Sequence, residues 1–185
     1  MFKDMNHLVL QFCRLLVVCV VFTDATCTSS CSCGKDDTSF NQLQRRSIRQ
    51  CTYTSLNDGR DVGQILTCDF RKTQSETALR VTYHGDLRVV SSSNACRRWF
   101  FTINGSECTS PATIEASVHP IGVTGLNNHR PGTLDGFCEN IPKGRVIVGL
   151  SIGKCIYGYE SYPGDGYTCW GGVCRVIIEE VPALQ

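Results

Sequence analysis

LTCDFRKTQSETALRVTY, residues 66 to 83, decides the fold. Leu66, Cys68 and Phe70 alternate with Thr67, Asp69 and Arg71, and Leu79, Val81 and Tyr83 then alternate with Arg80 and Thr82. A period of two puts each apolar set on one face of an extended chain, so both runs read as half-buried strands. Downstream, His84-Gly85-Asp86 predicts a turn into a strand over 87–90, and Trp99, Phe101 and Ile103 share one face of a strand over 97–103 that Asn104-Gly105 ends in a tight turn. Further strands are predicted at 113–119, 145–152 and 173–181, with Gly and Pro between them. No amphipathic helix intervenes, which disfavours parallel βαβ construction. The expected fold is all-β, an antiparallel β-sandwich or jelly roll of roughly seven to ten short strands.

The N-terminus reads differently. Residues 7–22, HLVLQFCRLLVVCVVF, form an apolar run behind Lys3 and ahead of Thr23-Asp24-Ala25, the layout of a signal peptide cleaved after Ala25. The expected organisation is a leader at 1–25, a cysteine-containing arm and linker at 26–50, and the β domain at 51–185, with secretion to the extracellular space and no membrane span after cleavage. Within the linker, 39–50 is the one segment with helical or coiled spacing, through Phe40, Leu43 and Ser47 or Ile48. Its Arg45, Arg46 and Arg49 are a weak basic patch for glycosaminoglycan, and a solvated linker is the preferred reading. The net charge of +1 gives no support for nucleic acid as a partner.

Of the thirteen cysteines, Cys13 and Cys19 fall in the leader, which leaves eleven in an oxidising setting. Cys27, Cys31 and Cys33 lie in a small polar arm and are candidates for interchain disulfides. The other eight pair within the domain. Nearness in sequence suggests Cys51 with Cys68, Cys96 with Cys108, Cys138 with Cys155 and Cys169 with Cys174, although spacing alone leaves the connectivity open.

Catalytic signatures are missing: there is no HExxH, GxSxG, Walker A or dinucleotide fingerprint. His84, His119 and His129 read as surface or turn residues, and a hydrolase pairing His129 with Asp135 is a distant alternative. Asn57, Asp58 and Asp61 offer oxygens for calcium but also suit an Asx-stabilised turn. The expectation is therefore no enzyme, no cofactor and no metal. Asn104-Gly105-Ser106 is an N-glycosylation sequon. Tyr157, Tyr159, Tyr162, Tyr167 and Trp170 are the candidate partner-binding residues, because these rings supply contact area with a polar handle. A lectin-like glycan-binding domain would use the same rings.

The strand residues also carry a family resemblance. Ser55-Leu56-Asn57, Asp61 with Gly63, Cys68, Ala78-Leu79-Arg80-Val81, Asn94-Ala95-Cys96, Arg98-Trp99, Phe101-Thr102, Glu107-Cys108, Ile114-Glu115-Ala116, His129-Arg130, Cys138-Glu139, Cys155, Gly164-Asp165 and Ile177-Ile178-Glu179-Glu180 resemble the C-terminal domain of the collagen triple helix repeat-containing family. The resemblance implies a C1q/TNF-like, trimer-forming jelly roll in a secreted matrix glycoprotein. It further implies roles in matrix remodelling, cell migration and Wnt planar cell polarity signalling, with Wnt/Frizzled-type receptors or matrix components as partners. No Gly-X-Y repeat occurs in these residues, so a homotrimer would be assembled by the head and the cysteine arm rather than by a triple helix. Cys169 and Cys174 look additional to the family set, which favours a local bridge between them.

Overall fold

Ten strands form: β1 (Ile48–Thr54), β2 (Gly63–Lys72), β3 (Ala78–Val90), β4 (Arg97–Ile103), β5 (Ser106–Glu107), β6 (Glu115–Val118), β7 (Arg130–Cys138), β8 (Gly144–Gly153), β9 (Asp165–Thr168) and β10 (Val173–Val181). They come from a computed structural model that describes residues 47–90, 93–122 and 125–185. The leader, Cys27, Cys31, Cys33 and most of the linker lie outside the described residues. One sheet runs β1-β10-β3-β7 with β9 also on β3, and the other runs β2-β8-β4-β5 with β6 also on β4. All pairings are antiparallel. The chain passes between the two sheets at six of the nine connections, all but β4–β5, β5–β6 and β9–β10, as in a jelly roll. The fold class read from the sequence is the one found.

The alternating residues fill the space between the sheets. Leu79, Val81 and Tyr83 of β3, Trp99 and Phe101 of β4, Val148, Leu150 and Ile152 of β8, and Val176 and Ile178 of β10 are all fully buried. In β2 the register slips between Gln64 and Leu66, and this bulge lets both Ile65 and Leu66 turn inward. The Asn104-Gly105 turn is confirmed: both residues have positive φ, 52° and 88°, and Ile103 pairs with Ser106 across it.

Two sequence expectations need correction here. His84-Gly85-Asp86 is not a turn, because β3 runs through it as one 13-residue strand, with Gly85 opposite Gly132 of β7. Gly85 is glycine for another reason: a β-carbon there would collide with the Tyr83 ring and Cys174 Sγ. Nor do residues 48–50 continue a coiled segment. They open β1, with Ile48 opposite Glu179 of β10, so the β unit starts ahead of Cys51.

The disulfides also differ from nearness in sequence. Cys51 bonds Cys68 and Cys169 bonds Cys174, but the other pairs are Cys96–Cys155 and Cys108–Cys138, not Cys96–Cys108 and Cys138–Cys155. Register explains the change. Arg98 pairs with Gly153, so Cys96 and Cys155 each lie two residues beyond one matched end of β4 and β8, whereas Cys108 lies past the far end of β4. Pro111 bridges Cys138, which draws Cys108 to the end of β7. Cys51–Cys68 joins edge strands β1 and β2, and Cys108–Cys138 closes the opposite flank.

A polar clasp fixes the β2–β3 connection. The buried Glu180 carboxylate accepts from Thr73 N at 2.9 Å, Gln74 N at 2.8 Å and the hydroxyls of Thr73 and Thr77, both at 2.7 Å. Buried Lys72 donates to Gln74 O and to Thr77 Oγ1 beside it. Burial would raise the Glu180 pKa, but the hydrogen bonds from Thr77, Thr73 and Gln74 outweigh it and hold the carboxyl below its ordinary value. A lowered folded-state pKa means that the unfolded chain binds the proton more readily, so this stability is present at neutral pH and is lost as pH falls through the folded value. We expect Glu180→Gln to reduce stability at pH 7 by roughly 1–3 kcal/mol, the cost of leaving buried donors without an acceptor. Denaturant midpoints from pH 7 down to pH 3 should fall less steeply in the variant than in the parent. Parallel curves would refute this assignment.

Candidate functional site

Strand β3 changes partners around Gly85. Up to His84 its neighbour on one side is β10, and from Leu87 to Val90 that place is taken by β9. The loop between β9 and β10 therefore emerges beside Asp86, tied by Cys169–Cys174. Its backbone is held from two directions. Cys169 N donates to Asp86 O at 3.0 Å, and Trp170 N donates to Asp86 Oδ2 at 3.3 Å. From the β1–β2 connection, Ser55 N donates to Gly172 O and Asn57 Oδ1 accepts from Gly171 N at 2.8 Å.

The loop presents Trp170, 57% exposed, on a polar base. His129 Nδ1 lies 2.7 Å from Asp86 Oδ2, and its ring stacks on Trp170 at 4.5 Å between centroids with 31° between planes. Tyr167 meets the same imidazole edge-on at 5.8 Å, and the Arg88 guanidinium covers the Tyr167 ring at 5.3 Å. Arg88 itself is buried and pairs with Asp165 at 2.9 Å. The carboxylate thus orients a histidine that supports an indole, a preorganised aromatic platform.

A second aromatic group stands apart from this one. Tyr159 and Tyr162 contact His119 at 4.5 and 5.3 Å and each other at 5.5 Å, all edge-on. Their loop is anchored by Cys96–Cys155 and by Cys96 N donating to Pro163 O at 2.8 Å. Nε2 of His119 is buried without a hydrogen-bond partner. His119 also lines a mostly apolar cavity of about 340 Å³ with Leu87, Val89, Val118, Leu126 and Arg130. Tyr157 belongs to neither group; it is 80% exposed and holds a φ of 64°, a conformation that costs a bulky residue of order 1–3 kcal/mol.

The five rings singled out in the sequence therefore do not form one surface. They divide into Tyr167 with Trp170, Tyr159 with Tyr162, and a solitary Tyr157. Asp86, Arg88, His119 and His129 were missed as their supports: the pairing of β3 with β7 and β9 brings Asp86, Arg88 and His129 to the rings, while His119 arrives from the end of β6, which pairs with β4. The His129–Asp135 hydrolase pair is corrected. His129 faces Asp86, while Asp135 is bound by Arg80 at 2.8 Å and by Thr82 at 2.7 Å, which hold its carboxyl below the ordinary range. The oxygens proposed for calcium have other duties: Asp58 pairs with Arg60 at 2.8 Å, Asp61 accepts from Gly166 N at 2.7 Å, and Asn57 clasps the Trp170 loop. Asn104 is exposed at its turn, and its Oδ1 accepts from Ile147 N at 2.8 Å.

Fold and site together define a disulfide-sutured jelly-roll head with a built aromatic end. The sequence profile of the CTHRC1 C-terminal domain matches residues 44–178, and the chain belongs to that family. Among solved structures, the dimeric latent PorU of Porphyromonas gingivalis aligns at 8% identity and a TM-score of 0.39, over 74% of this chain and 13% of that one. A T=1 particle derived from infectious bursal virus aligns at 13% identity and a TM-score of 0.36, over 76% of this chain and 37% of that one. The chain thus spans well under half the length of either. Among the described residues, no helix is long and apolar enough to cross a membrane.

Proposed function

We infer that this chain is a secreted extracellular matrix or signalling glycoprotein that acts by binding other proteins. Membership in the CTHRC1 C-terminal domain family and four disulfides support an extracellular setting. The roles that follow are matrix remodelling, cell migration and Wnt planar cell polarity signalling, with Wnt/Frizzled-type receptors or matrix components as partners and a homotrimer as the working assembly. The observation that carries the binding role is the platform of Trp170 on His129 and Asp86, a large ring left open to solvent yet fixed from beneath. Such preset aromatic anchors dominate binding energy at protein interfaces.

The test is binding of purified, tagged protein to cell surfaces. Trp170→Ala should weaken saturable binding by about thirtyfold, the effect of a typical hot-spot ring. Its native mass and unfolding midpoint should stay close to the parent's. A Trp170→Ala protein that binds cells as the parent does would remove this face from the account.

A further inference from the structure

The molecule carries a second surface of a different chemistry, on the flank where β1 of one sheet meets β2 and β8 of the other. An open groove of about 430 Å³ there is lined by Arg49, Asp69, Arg71 and Arg145, with Ile48 and Phe70. Arg71 and Arg145 are register partners in adjacent antiparallel strands. Directly opposed residues of this kind lie about 4.5–5.5 Å apart at their β-carbons, and like charges in that position repel. Asp69 relieves only one of them, holding Arg145 Nη2 at 3.1 Å. Among the described residues Arg71 has no acidic partner, and neither does Arg49. Three guanidiniums therefore face one groove against one carboxylate, a surplus of two positive charges that the fold itself leaves uncompensated.

We propose that this groove binds a sulfated polysaccharide. Guanidinium forks match the oxygens of sulfate esters and are weakly hydrated, so they give up water readily for such a partner. The groove is open rather than enclosed and draws on both sheets, which suits a chain passing across the flank more than a single small anion. Sulfated polysaccharides are the abundant extended polyanions outside cells, so the choice of ligand rests on the extracellular setting argued above. The site uses none of the aromatic residues of the binding platform.

The probe is heparin, titrated against the full chain at about 0.15 M salt, the physiological ionic strength. Loss of one charge-assisted contact is worth about tenfold in affinity, so Arg71→Thr with Arg145→Thr should weaken heparin binding about a hundredfold. Both positions are exposed and threonine suits a strand, so the double variant should unfold no earlier than the parent. Arg49→Gln, on the other sheet, should cost about tenfold by itself and serves as the independent check. Trp170→Ala should bind heparin normally, which separates failure of this site from failure of the protein-binding face. Retention of parental heparin affinity by the double variant would overturn the proposal. So would equal binding to fully desulfated heparin, or tighter binding to phosphatidylserine vesicles than to heparin.

Discussion

Trp99→Ala is expected to remove about 3–5 kcal/mol of stability, the usual cost of emptying a buried indole site. The side chain has no exposed surface, and it does more than fill volume. It projects from β4 in one sheet, and its Nε1 donates to Thr168 Oγ1 in β9 of the other at 2.8 Å. Thr168 is itself fully buried, so the variant leaves a hydroxyl without its donor as well as a cavity. Trp99→Phe separates the two terms: the ring stays, the donor goes, and the loss should shrink to roughly 1–3 kcal/mol. Urea unfolding with an unchanged slope measures both. A cost below about 1 kcal/mol for the alanine variant would contradict the central place given to this residue.

The second large effect concerns Cys96–Cys155. Its sequence separation of 59 is the greatest of the four bridges. On the chain-entropy account, cross-linking a loop of this length stabilises by about 4 kcal/mol, against about 2 kcal/mol for the 5-residue separation of Cys169–Cys174. Cys96→Ala with Cys155→Ala should therefore show the larger drop in unfolding free energy when the two double variants are compared. It should also release the start of the Tyr159–Tyr162 loop, readable as faster amide exchange there while the Trp170 loop stays protected. The reverse ranking of the two bridges would defeat the chain-entropy reading for this fold.

Much of the architecture was legible because period-two alternation is a direct image of one buried face. Residues 66–70, 79–83 and 97–103 state it openly, and Asn104-Gly105 marks its own turn. Strand β7 was invisible for a physical reason. Its sequence RPGTLDGFC looks like punctuation, yet Gly132 and Gly136 are glycines because Leu87 and Ile114 occupy the space where a β-carbon would sit. Gly85 was misread in the same way. A glycine signals a missing side chain, and sequence alone does not say whether the backbone turns there or a neighbour presses close.

The candidate site was legible by halves. Trp and Tyr residues announced themselves by type, but their supports did not. Asp86, His129 and Trp170 are separated by many residues and meet only because β3 exchanges one neighbour for another at its midpoint. The two misassigned disulfides failed on the same ground, since the partner of Cys96 is fixed by the pairing of β4 with β8 rather than by distance along the chain. The groove of three arginines is likewise a product of register: Arg71 and Arg145 become neighbours only through the β2–β8 ladder.

The placement of the bridges also determines how the head would respond to being pulled by its ends. Tension entering at the N-terminal side crosses from Cys51 straight to Cys68, and later from Cys96 to Cys155 and from Cys169 to Cys174, so the segments inside those spans carry no load. Strands β4, β7 and β8 lie wholly within the second span. Among the described residues, only 47–50, 69–95, 156–168 and 175–185 are left to pay out as slack, so the bridges cap how far the oxidised head extends between whatever grips its two ends.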